Sequence, residues 1–71
     1  MKCCIMDYKT KCFVGKFEQF EGFVPTVVPA RAYRFANMQE ARKARKEYAK
    51  EWEIDPKDLI IYNHKIVDKM W

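Results

Sequence analysis

The 71-residue sequence contains no serine, one histidine (His64) and two glycines. A Cys–His nucleophilic pair would have to use His64, and no third group can be identified that would orient that side chain. The sequence also lacks a glycine-rich phosphate loop and every recognisable cofactor motif. We therefore predict a protein that is not an enzyme and that needs no cofactor.

Long apolar runs are missing too, since no stretch approaches the ~18 residues that a membrane span requires. The first residues, MKCC, lack the apolar region and the small residues of a signal peptide. The odd number of cysteines, Cys3, Cys4 and Cys12, is a poor disulfide framework, and we expect reduced thiols packed as small hydrophobes. These absences predict a cytoplasmic protein without a membrane partner.

The cysteines and His64 have the side-chain types of a Cys₃His zinc site. However, adjacent residues of a strand point to opposite faces, so Cys3 and Cys4 should not bind one ion. The short spacing that is typical of paired zinc cysteines is also missing. We predict no metal site.

The residues that are present indicate one folded domain, 1–71. Apolar residues make up 49% of the chain and charged residues 34%, a balance that argues against disorder. Eleven residues are Phe, Tyr or Trp, more than the marginal core of so short a chain can bury. We expect some of these rings on the surface, where aromatic side chains favour contact with a partner.

The strand pattern begins with Lys2–Tyr8 and Lys11–Phe17, which predict a β-hairpin. Phe23–Val28 is a candidate edge strand, because its prolines confine the segment to an edge or a loop. A short strand over 33–35 is a further candidate. Leu59–Tyr62 is a continuous apolar run, typical of a central strand covered on both faces.

The clearest element is an amphipathic helix over Met38–Trp52. Asn37 is a suitable N-cap, and Glu40 follows three residues later in a pattern akin to the capping box. One face of this helix carries Met38, Ala41, Ala44, Tyr48, Ala49 and Trp52. We expect Tyr48 and Trp52 to provide most of the area that this face buries. After Asp55 and Pro56, which predict a turn, the tail either pairs back on the sheet or forms a short helix capped by Asn63. The assembly is an α+β fold: a small antiparallel sheet, made of a hairpin and a C-terminal strand or hairpin, with one amphipathic helix packed across a face.

The polar side of the helix is sorted by charge. Arg42, Lys46 and Lys50 form a basic row that could dock on phosphates or on an acidic protein. The alternative is a solvated surface in which Lys43 bridges neighbouring glutamates. Arg45 falls on the apolar face, either with its stem packed and its head in water or as a cationic contact for a partner.

The segment Arg31–Lys50 holds seven basic and two acidic residues, so it carries a charge of +5 while the rest of the chain sums to −1. Just before the helix, Arg31 and Arg34 alternate with Tyr33 and Phe35, as in platforms that bind single-stranded nucleic acid. Nucleic-acid binding through Arg31, Arg34 and the basic row is therefore one alternative, although no RNP, KH or zinc-knuckle motif is present.

Phe17, Phe20 and Phe23 are spaced by three residues. They either close one end of the core or form an apolar patch. In the second case the patch would be a protein interface, and a self-associating structural protein, such as a homodimer, is the third alternative.

One resemblance supports a more specific expectation. Tyr33-Arg34-Phe35, then Asn37 with Glu40-Ala41, and later the run LIIY at 59–62 resemble short α+β proteins encoded by phages and prophages. The resemblance covers about half of the chain. It implies a small accessory protein, in the host cytoplasm, that binds a host protein or protein–nucleic acid complex and modulates or inhibits it, as anti-CRISPR proteins inhibit defence nucleases. DNA mimicry is disfavoured, because the net charge is +4. A further alternative is that acidic residues of the chain occlude a nucleic-acid groove of the partner; the candidates are Glu51, Glu53, Asp55 and Asp58.

Overall fold

The computed structural model describes residues 2–69, which form an α+β domain as predicted. The strands are β1 (Cys3–Asp7), β2 (Phe13–Gly15), β3 (Val24–Thr26) and β4 (Leu59–Asn63); the helices are α1 (Met38–Glu51) and α2 (His64–Asp68). Single 3₁₀ turns lie at Pro29–Arg31 and Pro56–Asp58. Within 2–69 there is no helix with the length and apolar character to cross a bilayer.

The four strands form one antiparallel sheet in the order β3-β2-β1-β4. The predicted hairpin is β1–β2, and the candidate strand after it is the edge strand β3. The prediction that Leu59–Tyr62 is a central strand is wrong, because β4 lies at the other edge of the sheet. Its continuous apolar character reflects cover on its two faces, from α1 on one and α2 on the other, and says nothing about lateral neighbours.

Residues 32–35, which follow the first 3₁₀ turn, lie between β1 and β2. The hairpin strands pair at Met6 and Phe13 and then diverge. Tyr33 donates its backbone N–H to the Val14 carbonyl, and Phe35 bridges to Cys3. The segment therefore fills the gap through isolated bridges, and the short strand predicted for 33–35 does not form.

The sheet separates two groups of buried side chains, and Cys3 and Cys4 fall on opposite faces as the strand alternation predicts. The larger group packs under α1 and contains Cys3, Ile5, Val14, Phe35, Ala41, Ala44, Tyr48, Ala49 and Leu59. The smaller group packs under α2 and contains Cys4, Met6, Phe13, Ala32 and Val67. Cys4 and Cys12 are free thiols.

Helix α1 begins where the sequence predicts. The Asn37 side chain accepts a hydrogen bond from the Glu40 N–H at 2.9 Å, and the Glu40 carboxylate accepts one from the Ala36 N–H at 3.3 Å. The alanines and Tyr48 of the predicted apolar face are buried, but the two ends of that face are not. Met38 is 38% exposed and Trp52, which caps the C-terminus, is 43% exposed, so the expectation of a buried Trp52 is wrong.

The residues after β4 form the short helix α2, which is one of the two alternatives predicted for this part of the chain. The Asn63 side chain accepts a hydrogen bond from the Lys65 N–H at 2.9 Å and caps α2, so the chain does not pair back on the sheet. Asp55 caps the preceding 3₁₀ turn in the same way, with Pro56 in its first position. Asn and Asp at these positions satisfy backbone N–H groups that a short helix leaves without partners.

Candidate functional site

An open groove of about 580 Å³ lies between the 17–25 segment, the first 3₁₀ turn and the end of α1. Its walls are Phe17, Gln19, Phe20, Glu21, Val24, Pro25, Arg31 and Trp52. Phe20 is 54% exposed, and with Trp52 it presents two large rings to solvent. We call this surface the aromatic groove. Neighbouring exposed aromatic side chains of this kind are typical of binding surfaces.

Backbone contacts hold the walls of the aromatic groove in place. The Trp52 indole N–H donates to the Phe23 carbonyl at 3.1 Å, which ties the end of α1 to the 17–25 segment. The Phe20 N–H donates to the Phe17 carbonyl at 3.2 Å and closes a turn. The Arg31 guanidinium lies 5.8 Å from the centre of the Phe17 ring, within the range of a cation–π contact. The groove is therefore preformed and has a cation at its rim.

The three phenylalanines predicted as one cluster are divided between two places. Phe17 and Phe20 line the aromatic groove, whereas the Phe23 ring packs against Tyr33 and Phe35, at centroid distances of 5.5 and 5.4 Å. Trp52 takes the place of Phe23 in the groove. The sequence gives one signal for this exposure, because Trp52 is the last residue of the predicted apolar face and follows the end of α1.

Glu40, Glu47 and Glu51 form an acidic row along α1, on the side that faces the rings of Phe23, Tyr33 and Phe35. A shallower groove of about 270 Å³ is lined by Phe23, Tyr33, Phe35, Glu40, Lys43, Ala44 and Glu47. The next acidic residue along the row, Glu51, approaches Gly22. The acidic row therefore borders the β3 end of the sheet, and the basic row lies on the opposite flank of α1.

The basic row, Arg42, Lys46 and Lys50, is exposed along its length. Among the described residues, the ion pairs within 4 Å join Lys9 to Asp58 and Arg34 to Asp68. Within 2–69 no carboxylate lies within 4 Å of the row, and the predicted bridges from Lys43 to its neighbouring glutamates are not formed. Arg45 is half-buried on the apolar face, as packing of its stem would require.

Two members of the predicted nucleic-acid platform are used internally. The Arg34 guanidinium donates to the carbonyls of Pro29 and Ala32 and to the Asp68 carboxylate, which joins the first 3₁₀ turn to α2. Phe35 is 3% exposed and cannot stack on a base. Of the four residues in that platform, Arg31 and Tyr33 remain exposed.

Two described side chains have raised pKa values, and burial is the main cause in both. Burial raises the pKa of the Cys4 thiol, against the opposing effect of the nearby Arg34, so this sulfur is held as an unreactive thiol. Burial, reinforced by the Asp7 carboxylate, raises the pKa of the Tyr48 phenol to about 12. Within 2–69 no three His, Cys, Asp or Glu side chains are grouped closely enough to hold a metal ion.

Comparisons with models of known protein families, with curated proteins and with solved structures found no match to this chain.

Proposed function

We propose that this chain is a small non-enzymatic binding protein that docks onto a partner protein through the aromatic groove. The observation that supports this most directly is the pair of exposed rings, Phe20 and Trp52, held in a preformed groove. Rigid aromatic side chains contribute a large contact area and lose little conformational entropy on binding. A partner that inserts an apolar side chain between these rings fits this surface.

The charge of the chain favours an acidic surface on that partner. Arg31, at the rim of the groove, opens the segment that carries +5. Opposite charge around an apolar contact speeds association and fixes orientation. The Arg31 side chain can receive a carboxylate beside the inserted apolar group.

The resemblance to short phage-encoded proteins supports a proposal about role. The partner is then a host macromolecule, such as a defence nuclease, and the bound chain modulates or inhibits it stoichiometrically. Exposed acidic residues next to the groove, Glu51, Glu53 and Asp55, are available to face a nucleic-acid channel of that host protein. Inhibition by occlusion in this way does not require the whole chain to mimic DNA.

Site-specific photocrosslinking in cells tests the groove. A photoreactive phenylalanine analogue replaces Phe20, and a matched chain carries it at Tyr8, which is 57% exposed but lies in the hairpin turn. We expect a discrete adduct from position 20 and none from position 8. The adduct should disappear when Trp52→Ala is added.

Equal adducts from both positions, or none from position 20, would contradict the proposal. A position-20 adduct at twice the mass of the chain would instead support the self-associating alternative. Either result is read directly on a denaturing gel.

A second candidate function, nucleic-acid binding, is favoured by the basic row, which has no carboxylate partner among the residues that the structure describes. Fluorescence anisotropy with labelled single- and double-stranded DNA and RNA tests it at low and near-physiological salt. Phosphate contacts predict affinity that falls steeply with salt, by a slope of about one log unit for each phosphate neutralised. An Arg42→Glu/Lys46→Glu/Lys50→Glu variant should then lose binding, and no binding at low salt would exclude this function.

A further inference from the structure

We propose that the outer edge of β4 is a second binding site, which adds an extended acidic segment of a partner protein to the sheet as a fifth strand. This edge lies at the opposite end of the sheet from β3, which borders the aromatic groove. Strand addition of this kind derives affinity from backbone hydrogen bonds and specificity from alternate side chains. The proposal goes beyond the function proposed above and does not depend on it.

The hydrogen-bond alternation of the sheet determines which groups of β4 point outward. The His64 N–H donates to the Lys2 carbonyl at 3.0 Å, and the Tyr8 N–H donates to the Asp58 carbonyl at 2.7 Å. In an antiparallel pair, residues alternate between facing the partner strand and facing away from it. Ile60 and Tyr62 therefore bond to β1, and the N–H and C=O of Ile61 point away from the sheet.

The other edge of the sheet is blocked. The Val14 carbonyl accepts from the Tyr33 N–H at 2.9 Å, so the backbone of Val14 faces away from β3. Its cross-strand partner, Pro25, must then turn its own backbone towards the outside. Proline has no N–H to donate, and proline at this position prevents a further strand from pairing.

β4 lacks the charged residues and prolines that protect many edge strands. Its sequence, LIIYN, contains no charged residue and no proline, and four of its five residues are only half-buried. Exposed edges in native proteins are usually shielded by charges, prolines, bulges or short length. In the described part of the chain no strand lies beyond β4. Pro25 prevents a further strand from pairing with β3, whereas β4 has no such residue and can accept a further strand.

The positive charge of α1 beside β4 favours an acidic segment as the added strand. α1 packs on β1 and β4, and because its acidic row borders the β3 end, Arg42 and Lys46 lie on the flank above the β4 edge. α1 begins shortly after Phe35, which is bridged to Cys3, and it also contacts the second 3₁₀ turn, whose Asp58 carbonyl accepts a hydrogen bond from the Tyr8 N–H at the other end of β1. The basic row therefore follows the direction of β1 and β4. From Arg42 to Lys50 the row rises by roughly 12 Å, about the length of four extended residues. A strand with acidic residues on its α1-facing side matches this row along its length.

A second copy of the chain fits less well. Antiparallel pairing of two β4 strands about Ile61 would place both α1 helices on one face of the continuous sheet. The two basic rows would then face each other, and like charges in that position repel. Single-stranded nucleic acid would pair with the row but would leave the outward backbone N–H and C=O of Ile61 without a strand to bind.

The test uses a short fluorescein-labelled peptide in which valine and glutamate alternate, with a valine–lysine peptide as its control. Fluorescence anisotropy should detect saturable binding of the acidic peptide and not of the basic one. An Arg42→Glu/Lys46→Glu variant should bind at least about tenfold more weakly. The matched Lys16→Glu/Lys43→Glu variant, with the same change of net charge at positions beside Phe23 on the β3 side of the sheet, should bind as the unmodified chain does.

Backbone pairing is tested separately by amide hydrogen exchange measured by NMR. In the free chain, the Ile61 N–H should exchange quickly, while those of Ile60 and Tyr62 should be protected by their bonds to β1. The acidic peptide should slow exchange at Ile61. Ile61→Pro removes the outward N–H without removing a bond to β1 and should abolish peptide binding in a chain whose circular dichroism is unchanged. If this variant unfolds, the exchange measurement still decides.

Several outcomes would overturn the proposal. These are no binding of the acidic peptide, binding that the Arg42→Glu/Lys46→Glu variant leaves intact, or no change in Ile61 exchange on binding. Protection of Ile61 in the free chain together with a dimer in solution would assign the edge to a second copy. Binding of single-stranded DNA with unchanged Ile61 exchange would assign the basic row to nucleic acid. Phe20→Ser should leave peptide binding unchanged, so failure at one site is distinguishable from failure at the other.

Discussion

Cys3 and Phe35 exchange two backbone hydrogen bonds, with N–O distances of 2.9 and 2.8 Å, although 32 positions separate them in the chain. This bridge fixes the segment before α1 inside the opened hairpin. It also places the Phe35 ring in the larger core group, against Phe23 and Tyr33. The position of α1 over the sheet therefore depends on one buried ring and its backbone contacts.

Replacement of Phe35 by alanine should leave the chain largely unfolded. Truncation of a buried phenylalanine costs about 3–5 kcal/mol, which is close to the whole stability of a small domain. Phe35→Leu, which keeps much of the volume, should cost less and give a measurable urea transition. If Phe35→Ala unfolds with a midpoint equal to that of the unmodified chain, the bridge does not position α1.

Loss of the α1 cap should reduce stability without changing the fold. Asn37→Ala removes the acceptor for the Glu40 N–H and should lower the free energy of unfolding by about 1 kcal/mol. Asn37→Asp keeps an acceptor at the same place and should be close to neutral. Chemical denaturation followed by circular dichroism measures both, and equal losses in the two variants would argue against the cap.

The two glycines should respond differently to alanine. A Cβ on Gly15 would lie 3.0 Å from the Thr26 methyl, 3.1 Å from the Arg31 carbonyl and 3.2 Å from the Phe17 ring. Gly15→Ala should therefore cost about 1–3 kcal/mol and displace the Phe17 wall of the aromatic groove. Gly22 has φ +71°, and a Cβ there would meet the Glu51 carboxylate at an ordinary contact distance of 3.7 Å, so Gly22→Ala should cost only about 1 kcal/mol of backbone strain. Equal thermal midpoints for the two variants would contradict this difference.

Tyr48 should make the fold sensitive to alkaline pH. Its pKa of about 12 in the folded chain lies above the ~10 of an unfolded tyrosine, so the unfolded state loses this proton first. The free energy of unfolding should then be unaffected by Tyr48 below pH 10. It should fall by about 2–3 kcal/mol as the pH rises to 12. Urea titrations of the unmodified chain and of Tyr48→Phe measure the difference, and parallel pH profiles would show that Tyr48 titrates normally.

Features that depend on neighbours along the chain could be predicted from the sequence. The start of α1 at Asn37, the turn at Asp55–Pro56, the β1–β2 hairpin and the opposite faces of Cys3 and Cys4 all follow from local hydrogen bonding and periodicity. These effects act over a few residues, so a single sequence contains enough information to predict them.

The arrangement of these elements beside one another could not be predicted in this way and became visible in the folded chain. It placed β4 at an edge, inserted 32–35 into the hairpin, separated Phe23 from Phe17 and Phe20, and brought Trp52 into the groove. Strand order and exposure depend on contacts between residues far apart in the chain, and apolar character alone does not distinguish a strand with neighbours on both sides from one covered only on its faces.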